Sequence, residues 1–385
     1  MAEDWENAGF GLYIHWPFCE AKCPYCDFNS HVSRRIDQGA WKSAYLLELD
    51  RIAAETQGRV LSSVFFGGGT PSLMSPDTVA CVIERIRHHW PVANDLEVTL
   101  EANPTSIEAG KFAAFRQGGV NRVSMGIQAL NDDDLRRLGR LHSVADARKA
   151  YDIARDNFDR VSFDLIYARQ NQSLADWRKE LTEALNMAVD HLSLYQLTIE
   201  PQTAFGDRYK VGKLHGLPDE DLGADLYDLT QDLCFRHGMP AYEVSNHARD
   251  GAMSRHNIIY WRYGDYAGIG PGAHGRLTLN GQRYATETWS NPQKWLDAAN
   301  AGTGEKPRLS LSAQDQASEF VLMGLRVQSG IDLDRYTNIA GEPLSPSAIR
   351  DLEHFGLVTQ KKSNLYVTNQ GVNVLNGVIS KLLTD

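Results

Sequence analysis

Long apolar runs are missing from this chain. No stretch of about 18 consecutive apolar residues occurs, so the sequence predicts no membrane-spanning helix. A basic surplus is missing too: 39 lysines and arginines face 49 aspartates and glutamates, a formal charge of −10. That balance excludes nucleic-acid binding by general electrostatics, because phosphate needs a basic surface. The opening "MAEDWENAGF" is acidic and carries no apolar segment of a secretory signal. No internal repeat or low-complexity stretch stands out. Cysteine is scarce at five residues in 385, and three of the five fall within eight positions. Such crowding fits metal chemistry in a reducing compartment better than a disulfide framework. The cytoplasm is the expected address.

Short β-branched or aromatic runs recur along the first half: "LYIHWPF", "SSVFFGG", "EVTLEAN", "RVSMGIQ", "RVSFDLIY" and "HLSLYQLT". Helix-like stretches lie between them, among them "GAWKSAYLLELDRIAAE", "SPDTVACVIERIRHHW" and "SLADWRKELTEALNM", the last two opening on the capping residues Ser75 and Ser173. Alternation of strand and helix is the pattern of parallel βαβ units. Polar residues gather at the ends of these strands: the cysteine loop after the first, "GGGTP" after the second, Glu101 and Gln128 ending the third and fourth. Asp164 lies within the fifth strand, and Gln196 and Thr198 near the end of the sixth. A (β/α) barrel assembles its site on that side. The expected class is therefore α/β, with an incomplete (β/α)6 TIM-like barrel over residues 1–240. A segment at 241–285 and a C-terminal domain at 286–385 follow. In the latter, "SAIRDLEHFGLVTQKKSNLYVTNQGVNVLNGVISKLL" reads as helix, hairpin around Lys362–Asn364, then helix, similar to a winged helix. In so acidic a chain its expected role is packing or partner contact.

The cysteines are Cys19, Cys23 and Cys26, spaced C-x3-C-x2-C. A structural zinc site normally has four ligands, which leaves His15 or His31 to supply the fourth. An iron–sulfur cluster held by three thiolates, with one iron open to a small molecule, explains the pattern better. Cys81 and Cys234 sit in apolar helical contexts and read as small core residues. "NDDDLRR" (131–137) reads as a helix start favoured by the dipole.

The C-x3-C-x2-C loop after a first strand resembles the radical S-adenosylmethionine (SAM) superfamily. That resemblance implies a [4Fe-4S] cluster on Cys19, Cys23 and Cys26, with SAM on the fourth iron. Within it the chain is similar to the oxygen-independent coproporphyrinogen III oxidase family. The match implies SAM-side roles for Tyr13, Tyr25, Gly68, Gly69, Thr70, Glu101, Gln128, Arg140 and Asp164. One departure is local: relatives read "DLIYGLP" where this chain reads "DLIYARQ". Ala168 reaches positive φ only at a cost, so another loop path is expected there.

The family has two branches. The dehydrogenase carries a further cysteine two positions after the third, where this chain has Phe28, and a longer segment ahead of the cluster. Both differences resemble the HemW-type haem chaperone branch. So does "RHNIIYW", with His256, Asn257, Tyr260 and Trp261 matching a motif linked with haem. Imidazole is a common axial ligand and an indole offers a flat apolar face. A glycine-rich run, "YGDYAGIGPGAHG", places His274 nearby. The resemblance implies a haem chaperone with haem, recipient haemoproteins and an electron donor as partners. A homodimer and peripheral contact with a membrane are compatible with it. The alternative is coproporphyrinogen III dehydrogenation by a SAM-derived radical.

Overall fold

β1 (Phe10–Trp16) sets the architecture, because its side chains alternate between two environments. Phe10, Leu12, Ile14 and Trp16 are buried, and the Trp16 ring meets Trp41 and Tyr45 of α1 (Gln38–Glu55). Gly11, Tyr13 and His15 point the other way, into the barrel. The computed structural model describes residues 3–33 and 35–384.

Five strands follow in parallel and in spatial order: β2 (Leu61–Gly68), β3 (Val92–Ala102), β4 (Arg122–Gln128), β5 (Arg160–Tyr167) and β6 (His191–Gln196). These are the six strands expected from the sequence. The intervening helices include α2 (Pro76–His89), α3 (Val144–Asn157) and α4 (Leu174–Met187), capped by Ser75, Ser143 and Ser173, each hydroxyl accepting a backbone N–H three residues on. α5 (Glu220–Arg236) packs beside α4.

The sheet does not stop at six strands. β7 (Asn246–Ala248) pairs antiparallel with β6. α6 (Arg255–Trp261) comes next, and then β8 (Asp265–Ile269) runs parallel to β1 on its other side. β9 (His274–Leu279), β10 (Gln282–Glu287) and β11 (Leu309–Ser310) extend that side antiparallel. The order is β11-β10-β9-β8-β1-β2-β3-β4-β5-β6-β7, so the segment at 241–285 and the residues to 310 belong to the main sheet. Its terminal strands β7 and β11 do not pair with each other, and the barrel stays open on one side. Asp265, fully buried at the start of β8, is held between Arg59 (2.7 Å) and Arg283 (3.2 Å).

A second apolar cluster runs from Ala317 to Leu382, joined by Tyr263 from the segment before β8, and forms the core of a separate C-terminal domain. Its small sheet joins β12 (Ile331–Asp332), β13 (Val358–Lys361) and β14 (Asn364–Val367), with Lys362 at positive φ in the hairpin turn. The helix, hairpin and helix read from the sequence are all present. Arg276 of β9 pairs with Glu319 at 2.7 Å and ties this domain to the open side of the barrel.

One local expectation is corrected: Cys81 lies half-buried on the outer side of α2 near Asp77, not in the core, whereas Cys234 is fully buried. Ala168 occupies the left-handed region at φ 57°, at the backbone cost an alanine meets there. Buried Arg169 pins the turn through Glu180 and, at 3.1 Å, Asp134. No described helix is long and apolar enough to cross a membrane.

Candidate functional site

The loop after β1 carries Cys19, Cys23 and Cys26 as free thiols, all half-buried. Burial raises the pKa of Cys19 and Cys26, so a ligand that binds thiolate must supply the compensating charge. Two donors from loops distant in sequence address the sulfurs. Arg140 Nη1 lies 3.2 Å from Cys23 Sγ, and the Thr70 hydroxyl lies 3.5 Å from Cys19 Sγ. Asn103 joins these donors: its amide donates to Thr70 Oγ1 at 3.0 Å, and its oxygen accepts from Arg140 Nη2 at 2.5 Å.

The "GGGTP" turn reaches the same loop. Gly69 N–H donates to Trp16 O at 2.7 Å and Thr70 N–H to Phe18 O at 2.8 Å. Gly68 has φ 111°, and a Cβ there would lie 2.6 Å from the His15 ring, so only glycine fits. Tyr25 packs its ring 6.5 Å from Phe205, with its hydroxyl beside Cys23 and Arg140.

Two carboxylates face the chamber inside the barrel. Glu101 is pushed up to about 8 by burial and then by the neighbouring charge of Asp164, against the Gly68 N–H that it accepts at 3.3 Å. Asp164 is pushed up to about 6 by burial, offset by the Ser193 hydroxyl and Arg122. Protein surrounds both, yet both keep accessible surface, and Tyr195 beside them is 42 % exposed. They line a solvent-reachable chamber. Two carboxyl groups held against each other with so little counter-charge suit a cationic ligand with hydroxyls. Gln128 closes β4 at φ 74°, a strained conformation for a non-glycine residue and one typical of ligand sites.

His256 is placed differently. It is 6 % exposed, with Nδ1 3.0 Å from the Ser63 hydroxyl and its ring near-parallel to Phe65 at 5.0 Å and Tyr13 at 6.1 Å. The ring that the sequence expectation offers to haem iron is thus enclosed by the barrel, its Nδ1 already engaged by Ser63. Asn257 donates to the Tyr242 hydroxyl at 3.4 Å. Tyr260 lies 6.3 Å from Tyr266 and 5.0 Å from Trp261, whose buried indole N–H has no acceptor among the described residues.

With this geometry, comparison with known proteins decides the family. Residues 13–184 match the family model for the radical SAM superfamily, and residues 311–374 the HemN C-terminal domain. The haem chaperone HemW of Escherichia coli (strain K12) is 34% identical over 380 residues, covering 97% of this chain and 98% of that one. The chain belongs to the HemW-type branch of the radical SAM superfamily. The Bacillus subtilis (strain 168) haem chaperone HemW is 33% identical over 97% of this chain and 99% of its own. Radical S-adenosyl methionine domain-containing protein 1, mitochondrial, of Bos taurus is 37% identical over 97% of this chain and 87% of its own. In fold, the chain matches the E. coli coproporphyrinogen III oxidase (HemN) structure with a TM-score of 0.80 at 21% identity, covering 98% and 90% of the two chains.

Membership implies a [4Fe-4S] cluster and SAM for this HemW-type protein. The residues present fit both. Among the described residues no three His, Cys, Asp or Glu side chains converge on one ion-sized point. A cubane does not ask for that, since each thiolate meets a different iron. A zinc ion does, and His15 is not free to complete one, since both its ring nitrogens are held, by Tyr13 and Asn29 at 3.0 Å each. Asn103, Ser193 and Arg122 went unread in the sequence. Only Asn103, inside "EANP" beside Glu101, left a local trace there.

Proposed function

We propose that this protein is a haem chaperone, binding haem and passing it to recipient haemoproteins of respiratory or storage type. The observation that carries the reading is the match to haem chaperones across nearly the whole of both chains. Phe28, 58 % exposed two positions after Cys26, supports it, since a dehydrogenase of this family resembles it except for a cysteine there.

In this reading Cys19, Cys23 and Cys26 hold three irons of the cluster and the fourth is left for SAM. The Arg140 guanidinium and the Thr70 hydroxyl act on the sulfurs of Cys23 and Cys19, where such hydrogen bonds set the cluster's potential. Glu101 and Asp164, with Gln128, receive the hydroxyl and ammonium groups of SAM, while Tyr13, Gly68 and Gly69 shape the turn beside it. Tyr25 packs the cluster loop. When bound, SAM and the cluster together supply one-electron chemistry at the sulfonium. Tyr260 and Trp261, with Tyr195 and Tyr266, offer the aromatic surface for a planar ligand. An electron donor and a reducing compartment, the cytoplasm, belong to the same reading.

The intact carboxylate chamber favours a second reading, oxidative decarboxylation of coproporphyrinogen III. Anaerobically reconstituted protein distinguishes the two when incubated with SAM, reductant and coproporphyrinogen III and, in parallel, titrated with haem. A saturable haem spectrum without porphyrinogen turnover is expected. Formation of 5′-deoxyadenosine in step with protoporphyrinogen overturns the chaperone.

A further inference from the structure

The HNIIYW motif sits where it can govern the SAM side of the site. We propose that His256 is a positioning residue: its imidazole seats Tyr13 and Phe65 beneath the "GGGTP" turn, and it does not ligate haem iron. The inference rests on the reading that Glu101 and this turn receive SAM.

A continuous run of contacts leads from the helix to the turn. Ser63 on β2 holds His256 Nδ1, and the space for that pair exists because position 11 is glycine. A Cβ there would come within 2.7 Å of the Ser63 hydroxyl and 3.4 Å of the imidazole. Above it, the rings of His256, Tyr13 and Phe65 lie within 26° of parallel to one another. Tyr13 donates its hydroxyl to His15 Nδ1 at 3.0 Å, and His15 Nε2–H donates to Asn29 O, in the cluster loop, at 3.0 Å. The two bonds fix the tautomer of His15, since a carbonyl only accepts. The His15 ring in turn faces Gly68, whose N–H reaches Glu101. A Cβ on Gly67 would lie 2.8 Å from Tyr13 and 2.9 Å from Phe65, so a shift of either ring moves the turn.

The helix that carries His256 is anchored independently. Arg255 N–H donates to Glu97 at 3.0 Å, and Glu97 pairs with Arg160 at 3.0 Å. Ser254 caps the helix. α6 thus presses on the floor of the barrel from below, opposite the mouth. Burial lowers the imidazole pKa to about 3, so the ring is neutral and nothing in its setting draws it out to solvent.

The test compares His256→Ala with His256→Phe in full-length, cluster-loaded protein. Iron and sulfide content qualifies each preparation, and its absence from the wild type would sink the cofactor reading rather than this one. SAM affinity is read from the SAM-induced change in the spectrum of the reduced cluster, and haem affinity from absorbance titration. His256→Ala is expected to weaken SAM about tenfold, with haem affinity unchanged. His256→Phe, which keeps the ring stack, is expected to restore SAM to within about twofold. Unchanged SAM affinity in His256→Ala, or haem affinity lost in either variant, overturns the proposal. Should His256→Ala not fold, His256→Leu, which fills the space without a ring to stack, takes its place in the same two titrations with the same expected loss.

Discussion

Arg140 sets its guanidinium 3.2 Å from the sulfur of Cys23, across 117 residues of sequence, while its other amino group holds Asn103. A cation donating to a cluster thiolate favours the reduced state, because it offsets the added electron. Arg140→Gln should therefore move the cluster potential more negative, on the order of 50 mV, the size of one such hydrogen bond. A redox titration followed by electron paramagnetic resonance checks this. A potential unmoved in a protein that keeps its iron would show that the contact is incidental.

Glu101 gives a pH signature. Folded and free of ligand it keeps its proton up to about pH 8, whereas the ordinary value is 4.5. The folded state binds the extra proton across that window, so its stability falls as pH rises from about 4.5 to about 8. Glu101→Gln removes this loss. The variant should gain on wild type by roughly 2 °C or more in Tm between pH 5 and pH 8. A constant gap across that range contradicts the raised carboxyl.

The turn after β5 separates strain from charge. Ala168→Gly relieves the left-handed backbone but gives up a buried methyl and loosens the unfolded chain. The change should stay within about 1 kcal/mol of wild type. Arg169→Ala leaves Glu180 buried without its cation and should cost about 3 kcal/mol. Denaturant unfolding measures both. Equal losses in the two variants would contradict the view that Arg169 pins this turn.

The parallel strands were legible because alternation along them is strong: Leu12, Ile14 and Trp16 on one face, Tyr13 and His15 on the other. The gathering of Cys19, Cys23 and Cys26 on one loop was legible because their spacing is local. The reach of Arg140 to Cys23 and of Ser63 to His256, 193 residues away, was not. No local pattern encodes contacts that only strand order creates. The enclosure of His256 was hidden for the same reason, since a motif gives residue types but not which way a ring is enclosed. The joining of β8 to β1 was hidden as well. "DYAGI" looks like part of a glycine-rich loop until β1 supplies its partner.

The account stands most directly on metal analysis of anaerobically purified and reconstituted protein. It predicts about four irons and four sulfides per chain, with a reduced-cluster spectrum that changes on adding SAM, and loss of both in Cys19→Ala, Cys23→Ala and Cys26→Ala. A cluster that survives removal of any one of these cysteines, or a spectrum indifferent to SAM, would contradict it.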